Sequence, residues 1–367
     1  MKNVFGNAVT LTLFGESHGP AVGAVLDGLA PGIPVDEGEI ARIMDLRRAK
    51  NGLSTPRREA DEVRIVSGVF RGYTTGTPVT FLIENTDKTP SDYEKTPSLV
   101  RPGHADYTAE MKYHGYQDAR GGGHFSGRLT APLCAAGALC LTALAKKGIL
   151  IGTHIARCAG ISDRAFSADP TSEIDLLRYC DFAVLDTLAA EKMKAAILRA
   201  KEENDSVGGI LETAVVGLPA GVGEPWFDTL EGVLSHALFS IPAVKGVEFG
   251  DGFTTVDLRG SEANDPFRAE NGRVITETNR AGGILGGISN GMPLLFRCAV
   301  KPTPSVKKTQ KTVDLATGEN AEITVSGRHD PAIVHRARAV CDALTALVLC
   351  DMLTLRYGTD FLAEGGE

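Results

Sequence analysis

The chain has 367 residues, 43% hydrophobic and 23% charged, with 38 Lys and Arg against 46 Asp and Glu for a formal charge of −8. This is enough apolar material for a large core and excludes a disordered chain, a collagen or a coiled coil. The acidic excess argues against a general nucleic-acid binder, which needs positive surface against the phosphates. The length suits two core-sized units or one large α/β body.

The chain opens as strand, glycine turn, strand: Val9–Phe14 is β-rich, Gly15-Glu16-Ser17-His18-Gly19 is a polar turn, and Ala21–Leu26 is apolar again. Asp36 with Glu39 three residues on predicts a capped helix start, with Arg47 and Arg48 closing the helix. Strand-like runs follow at Val63–Val69 and Val79–Ile83. Gly121-Gly122-Gly123 then leads into Leu129–Ala145, which is uncharged but carries Pro132 and Gly137, and so predicts a buried helix, not a membrane span. Thr187–Glu203 has the spacing of an amphipathic surface helix, and Leu294–Val300 predicts a strand. A last long helix is expected over Pro331–Arg356, with Asp330 at its N-cap and Pro331 in its first turn. The N-terminus lacks the apolar stretch of a signal peptide, so a cytoplasmic protein without a membrane partner is expected. The seven Cys include no CxxC and are expected as small core residues in a reducing compartment.

The second half of the sequence echoes the first. Glu16–Gly19 followed by Asp27-Gly28-Leu29 resembles Asn204–Gly208 followed by Val216-Gly217-Leu218. Thr75-Gly76-Thr77-Pro78 resembles Asn290-Gly291-Met292-Pro293, and Gly127-Arg128 resembles Gly327-Arg328, each pair ahead of a helix. An internal pseudo-two-fold duplication is expected, with halves near 5–150 and 200–356 inside one domain of residues 1–367. Reuse of turn chemistry by an α/β protein is the plainer alternative. A duplication would place Arg128 and Arg328 each at a helix N-terminus, where unpaired N–H groups attract anions.

Chemistry concentrates between the predicted elements. Arg42, Arg47, Arg48, Lys50, Arg57 and Arg58 crowd one short stretch of an acidic protein. Guanidinium forks fit phosphates and carboxylates bidentately, so a small polyanion suits them, though a solvated helix face would carry the same charges. His18, His104 and His329 stand in glycine or proline turns, accessible places for proton exchange near neutral pH or simply surface positions. No HExxH or similar metal spacing occurs, so no metal is expected. The glycine-dense segments 121–123 and 281–291 match neither GxGxxG in its strand–turn–helix setting nor a P-loop. Lys301-Pro302-Thr303-Pro304-Ser305 offers an ammonium and two hydroxyls, either a phosphate cup or a plain edge turn. Ser17 beside His18 lacks the G-x-S-x-G elbow of a serine hydrolase.

Together these strings resemble one family, the chorismate synthases. The resemblance runs through Phe14–Gly19, Asp27–Pro34, Arg57-Arg58-Glu59, Ser67–Phe70, Thr75–Pro78, Ile83–Asp87, Arg101–Asp106, Gly250–Phe253, Ala281–Gly287, Lys301–Thr303 and Gly327–Pro331, nearly the whole chain. It implies a β-α-β sandwich in a homotetramer. It also implies a lyase that eliminates phosphate from 5-enolpyruvylshikimate 3-phosphate with reduced FMN, giving chorismate; a flavin-dependent oxidoreductase on a phosphorylated cyclic acid is the alternative. On the matching positions, His18 resembles the histidine that keeps reduced flavin protonated and His104 the one that protonates departing phosphate. Asp330, Ser17 and Ser126 resemble a proton relay to the flavin. Arg47, Arg48, Arg128 and Arg328 resemble the clamp for substrate anions. FMN is expected to touch His124, Phe125, Ser126, Pro242, Ala243, Gly286, Lys301, Pro302, Thr303, Pro304, Ser305 and Arg328. NADPH, as a possible reductant only, is met in the family near Arg47. The family's usual Gly-Arg-Ser-Ser-Ala-Arg-Glu-Thr-Ala reads here Gly123-His124-Phe125-Ser126-Gly127-Arg128-Leu129-Thr130-Ala131, and a basic residue usual near Leu53-Ser54 is missing. An enzyme served by an external flavin reductase or an anaerobic cell is therefore expected.

Overall fold

The computed structural model describes residues 2–49, 52–54, 61–86, 98–325, 327 and 329–363. Lys50, Arg57, Arg58 and Arg328 lie outside these residues. The first sheet contains β1 (Val4–Phe5), β2 (Thr10–Gly15), β3 (Ala21–Asp27), β4 (Arg64–Ser67) and β5 (Val79–Glu84), in spatial order β1-β2-β3-β5-β4. The second contains β6 (Leu150–Cys158), β7 (Ile161–Ser162), β8 (Gly209–Val216), β9 (Val244–Phe249) and β10 (Leu294–Val300), in order β9-β10-β8-β6-β7. All neighbours within both sheets are antiparallel. Six main helices accompany the sheets: α1 (Glu37–Arg47), α2 (Asp106–Tyr113), α3 (Thr130–Lys146), α4 (Thr187–Glu202), α5 (Leu230–Leu238) and α6 (Val334–Tyr357).

Two of these helices form the middle layer. α3 packs on β3 and β5 of the first sheet, α6 packs on β6 and β8 of the second, and α3 and α6 pack on each other. The result is a β-α-β sandwich. Both helices are buried along most of their length because both faces are covered; α3 is apolar nearly all round, as expected of an interior helix, while α6 also buries His335, Arg338, Asp342 and Asp351. α3 is thus the buried helix expected from Leu129–Ala145. It is long and apolar enough to cross a membrane, yet 72% of that window is buried inside the fold. The helices cross at small residues: a Cβ added to Gly137 would lie 2.3 Å from the Cβ of Ala343. Cys134, Cys140, Cys341 and Cys350 lie buried in these helices, and all seven cysteines are free thiols.

The strand orders of the two sheets correspond. β2, β3, α1, β4, β5 and α3 follow one another as β6, β8, α5, β9, β10 and α6 do, and each series carries a hairpin before its fourth strand, at 69–74 and 267–276. Glycine turns recur at matching places. Gly28 after β3 has φ +86 and would put a Cβ 1.9 Å from the carbonyl oxygen of Ala8, while Gly217 after β8 has φ +79 and would put one 2.1 Å from that of Gly148. Only glycine fits such close backbone approaches. The second series begins at Leu150, earlier than the half expected from about residue 200.

Most predicted elements stand within a residue or two of their expected bounds. Asp36 accepts from the backbone N–H of Glu39 at 3.1 Å, the expected cap of α1. One boundary is corrected. α6 begins at Val334, not Pro331, and its N-cap position is Ile333, with no side-chain cap. Asp330 therefore does not cap this helix; its carboxylate accepts instead from the guanidinium of Arg336.

Candidate active site

A cleft of about 1530 Å³ is lined by the start of α3, the start of α6 and the loops at 98–106, 117–128, 239–244 and 301–305. Single small-ligand pockets span roughly 300–1,000 Å³, so this one has room for two ligands. Along its lining Lys and Arg outnumber Asp and Glu eight to five among the described residues, in a chain whose overall charge is −8. The cleft therefore concentrates positive charge that the rest of the surface lacks.

Two interlocked loops hold His104. The hairpin of Thr309–Val313 and Asn320–Thr324 reaches the first loop through Leu315 N–H, which donates to the Ser98 carbonyl at 3.0 Å. The Lys301 ammonium donates to the Gly103 carbonyl at 2.7 Å. Gly103 has φ +73, and a Cβ there would sit 2.8 Å from that of Pro304, so glycine is needed for the loops to close together. Arg101 grips Asp106 through Nε and Nη2 at 2.8 and 2.7 Å. Nδ1 of His104 lies 3.1 Å from the Pro102 carbonyl, which can only accept, so Nδ1 carries the ring proton and Nε2 accepts from the Ser305 hydroxyl at 2.7 Å. Burial, and next the neighbouring Arg101 charge, hold the His104 pKa below 6.5. The ring is thus held ready to receive a proton at Nε2.

The glycine run forms the wall beside α3. Gly121, Gly122 and Gly123 all have positive φ, at +59, +90 and +53. A Cβ on Gly121 would lie 2.1 Å from the His18 ring, and the Ser17 N–H donates to the Gly123 carbonyl at 3.1 Å. A Cβ on Gly122 would meet nothing within 4 Å, which leaves open room above its backbone. His124 donates from Nδ1 to the Gly15 carbonyl at 2.9 Å. Phe125 is 43% exposed and meets Tyr113 edge-on. Ser126 accepts from the Arg128 N–H at 3.2 Å, capping the short turn that precedes α3. His18 is buried behind this wall. Its Nδ1 meets Ser17 Oγ at 3.0 Å, and that hydroxyl donates to the Arg120 carbonyl at 3.2 Å.

The guanidinium pair is the part that sequence reasoning described least well. Arg47 and Arg128 line the cleft, but both point at one carboxylate. Arg47 Nη1 lies 2.9 Å from Asp61 Oδ2, and Arg128 Nη1 bonds Asp61 Oδ1. Arg47 also donates to Thr130 Oγ1 and the Gly127 carbonyl, and Arg128 to Asn85 and the Glu84 carbonyl. Arg336 donates to the Arg47 carbonyl at 2.8 Å and to Asp330 Oδ2 at 2.6 Å. Asp61 and Arg336 were not singled out from sequence. Asp61 is one of three acids in Glu59-Ala60-Asp61-Glu62, with nothing local to set it apart, and Arg336 reads as one polar position on a helix.

The expected site residues divide as follows. Arg47, Arg48, Arg128, His104, His124, Phe125, Ser126, Pro242, Ala243, Lys301, Thr303, Pro304, Ser305 and Asp330 line the cleft. Ser17, His18, Pro302 and Gly286 are not among its lining residues. Gly286 sits in a separate turn between Leu285 and Ile288, and Pro302 lines a small groove on the other side of its loop. Among the described residues no group of three His, Cys, Asp or Glu side chains is placed to hold a metal.

Flat, phosphorylated cofactors need backbone approach, polar hooks and apolar faces. The open cradle over Gly122, the apolar face of Phe125, and Thr303 Oγ1, which is buried without a hydrogen-bond partner, supply these on the cleft wall. The residues therefore fit a bound flavin phosphate.

Fold and cleft together define an α/β protein with a cation-rich cleft roomy enough for two small ligands. Comparison with known proteins makes this specific. The chorismate synthase family profile matches residues 9–354. A chorismate synthase of Korarchaeum cryptofilum is 46% identical over 351 residues, covering 95% of this chain and 96% of its own length. One of Thermococcus gammatolerans is 48% identical over 356 residues, covering 96% and 97%. A crystal structure of a chorismate synthase superposes with a TM-score of 0.77 at 27% identity, covering 98% of this chain and 95% of its own. The chain belongs to the chorismate synthase family. It is accordingly a carbon–oxygen lyase of aromatic amino-acid biosynthesis that acts on a small-molecule substrate.

Proposed function

We propose that the cleft between the sheets is where this chain eliminates phosphate from 5-enolpyruvylshikimate 3-phosphate to give chorismate, with reduced FMN bound beside the substrate ring. The observation that carries this reading is the gathering of eight cations around one two-ligand cleft of an acidic protein, next to a histidine held with Nε2 as an acceptor. Reduced FMN, when bound, supplies an electron-rich ring that shares charge as the allylic C–O bond opens and takes up the proton. His124, Phe125, Ser126, Pro242, Ala243, Thr303, Pro304 and Ser305 are the residues we assign to hold it.

Lys301 and His104 stand together and are assigned to the leaving phosphate. A dianion beside His104 favours its protonated form and works against the burial and the Arg101 charge that depress its pKa. Protonated at Nε2, the ring gives that proton to the phosphate oxygen as it departs. The Asp330 carboxylate, held by Arg336, is assigned with the hydroxyls of Ser17 and Ser126 to move the proton from the ring. His18, buried against the glycine wall, is assigned to the protonation state of the cofactor. Arg47, Arg48 and Arg128 serve the substrate's anionic groups, and Arg328 joins them by its place in sequence.

We also propose that the chain lacks an NADPH site of its own and draws reduced flavin from an external reductase, because the basic residue usual near Leu53-Ser54 is missing. We further propose a cytoplasmic homotetramer, and one domain grown from two repeats whose matching strand orders are described above. The test is anaerobic. Enzyme, substrate and chemically reduced FMN should release one phosphate per product diene with no net loss of reduced flavin. Stoichiometric flavin or NADPH oxidation would instead favour an oxidoreductase, and binding without phosphate release would reject the elimination.

A further inference from the structure

Arg47, the last residue of α1, and Arg128, in the turn before α3, approach the cleft from different elements. They are 5% and 7% exposed, and they hold opposite oxygens of the Asp61 carboxylate, whose side chain is 1% exposed. Asp61 has φ +48, a region that a non-glycine residue rarely adopts. Aspartate is among the few non-glycine residues that tolerate this conformation, and here its carboxylate lies between the two guanidiniums. One protein carboxylate therefore already occupies the bidentate position in which this pair would grip an anion.

We propose that Asp61 is a specificity-determining residue: it acts as a built-in anion that denies the Arg47–Arg128 pair to a single free anion and yields it only to a ligand that engages other cations of the cleft as well. A phosphate ion taking both guanidiniums would leave a buried carboxylate unpaired, and a buried charge stripped of its partner is strongly unfavourable. The proposed substrate carries two carboxylates and a phosphate, so contacts with Lys301 and Arg336 can offset that cost. Free phosphate cannot make them all at once. Because phosphate is also a product, the same carboxylate keeps it from lodging on the pair after turnover. The inference rests on the reading of this cleft as the substrate site.

The test uses the full chain and inorganic phosphate alone, followed by calorimetric titration. Asp61→Asn should bind phosphate about tenfold tighter or more, and Asp61→Glu, which keeps the charge, should stay within about twofold of the unsubstituted chain. Unchanged or weaker phosphate binding in folded Asp61→Asn overturns the proposal. Should that variant fail to fold, crystals of the unsubstituted chain soaked in phosphate decide. Asp61 still bridging Arg47 and Arg128 supports it, and phosphate seated on the pair with Asp61 turned away overturns it. Substrate titration of Arg128→Gln, with its fold verified by circular dichroism, and of the less buried Lys301→Gln separates the two levels. Lost substrate binding there upholds the site even if the Asp61 proposal fails, and unchanged substrate binding rejects the site itself.

Discussion

Asp330 accepts a charged hydrogen bond from Arg336 at 2.6 Å, across the irregular turn that leads into α6. The pair stands at the cleft wall, with side chains 13% and 22% exposed, and Arg336 continues to the Arg47 carbonyl at 2.8 Å. Asp330 is thereby tied to Arg336 and, through it, to the backbone of Arg47, and not to the helix end.

Asp330→Asn should therefore lower turnover far more than stability. A capping residue would lose ~1 kcal/mol on mutation to a non-capping one, but no cap is present to lose. We expect kcat to fall by about tenfold or more, in the range of a lost acid–base group, with a melting temperature within a few degrees of the unsubstituted chain. Steady-state kinetics and calorimetry on one preparation check both. A large drop in melting temperature with intact turnover would return Asp330 to a structural role.

His104→Ala should slow phosphate departure by about 10²–10⁴-fold, the usual contribution of a positioned proton donor. FMN affinity should fall far less than the rate, because His104 touches only Ser305 among the residues assigned to FMN, its other bond running to the Pro102 carbonyl. Single-turnover phosphate release and flavin titration separate the two effects. Equal losses in both would show that His104 shapes the cofactor site.

Arg128→Leu should destabilise the fold as well as the site. It leaves the Asp61 carboxylate with one partner in a buried place, and breaking a buried ion pair typically costs about 3–5 kcal/mol. Urea unfolding should show most of that loss. A change under about 1 kcal/mol would mean that the cluster behaves as an exposed pair.

Far from the cleft, His154 is fully buried between Asp163 at 2.8 Å and Glu212 at 2.9 Å. Burial alone would lower its pKa, but the bonds from Asp163 and then Glu212 outweigh it and raise the pKa above 6.5. This contribution to stability is complete below pH 6.5 and is lost as pH rises through the raised value. Asp163 has the opposite sign: burial raises its pKa, but the His154 bond and two backbone N–H groups bring it below 3.8, so its share is lost only as pH falls through that depressed value. Unfolding free energy should thus decline as pH climbs above 6.5 and through the raised His154 value, and His154→Gln should flatten that decline. An identical slope in the variant would show that His154 and its two carboxylates do not set this pH dependence.

What the sequence made legible was local. Asp36 and Glu39 mark α1, an uncharged run marks α3, and Leu294–Val300 is a strand with the bounds expected of it. The helix start at Asp330-Pro331 misled because the Arg336 guanidinium, in the first turn of α6, holds the Asp330 carboxylate that would otherwise cap. The site was legible as a list of residues but not as partnerships. Arg47, Asp61 and Arg128 come from three separate stretches of chain, and only the fold shows that the expected anion clamp already holds an anion. His18 sits in an open-looking glycine turn, yet the positive-φ run at Gly121–Gly123 closes over it.

One cleft is proposed to seat both flavin and substrate, and a crystal structure of the chain with FMN and 5-enolpyruvylshikimate 3-phosphate decides it. The flavin should lie against the 122–126 wall with the substrate stacked on it and the substrate phosphate beside His104 and Lys301. Either molecule bound outside this cleft, or the phosphate turned away from His104, would contradict it.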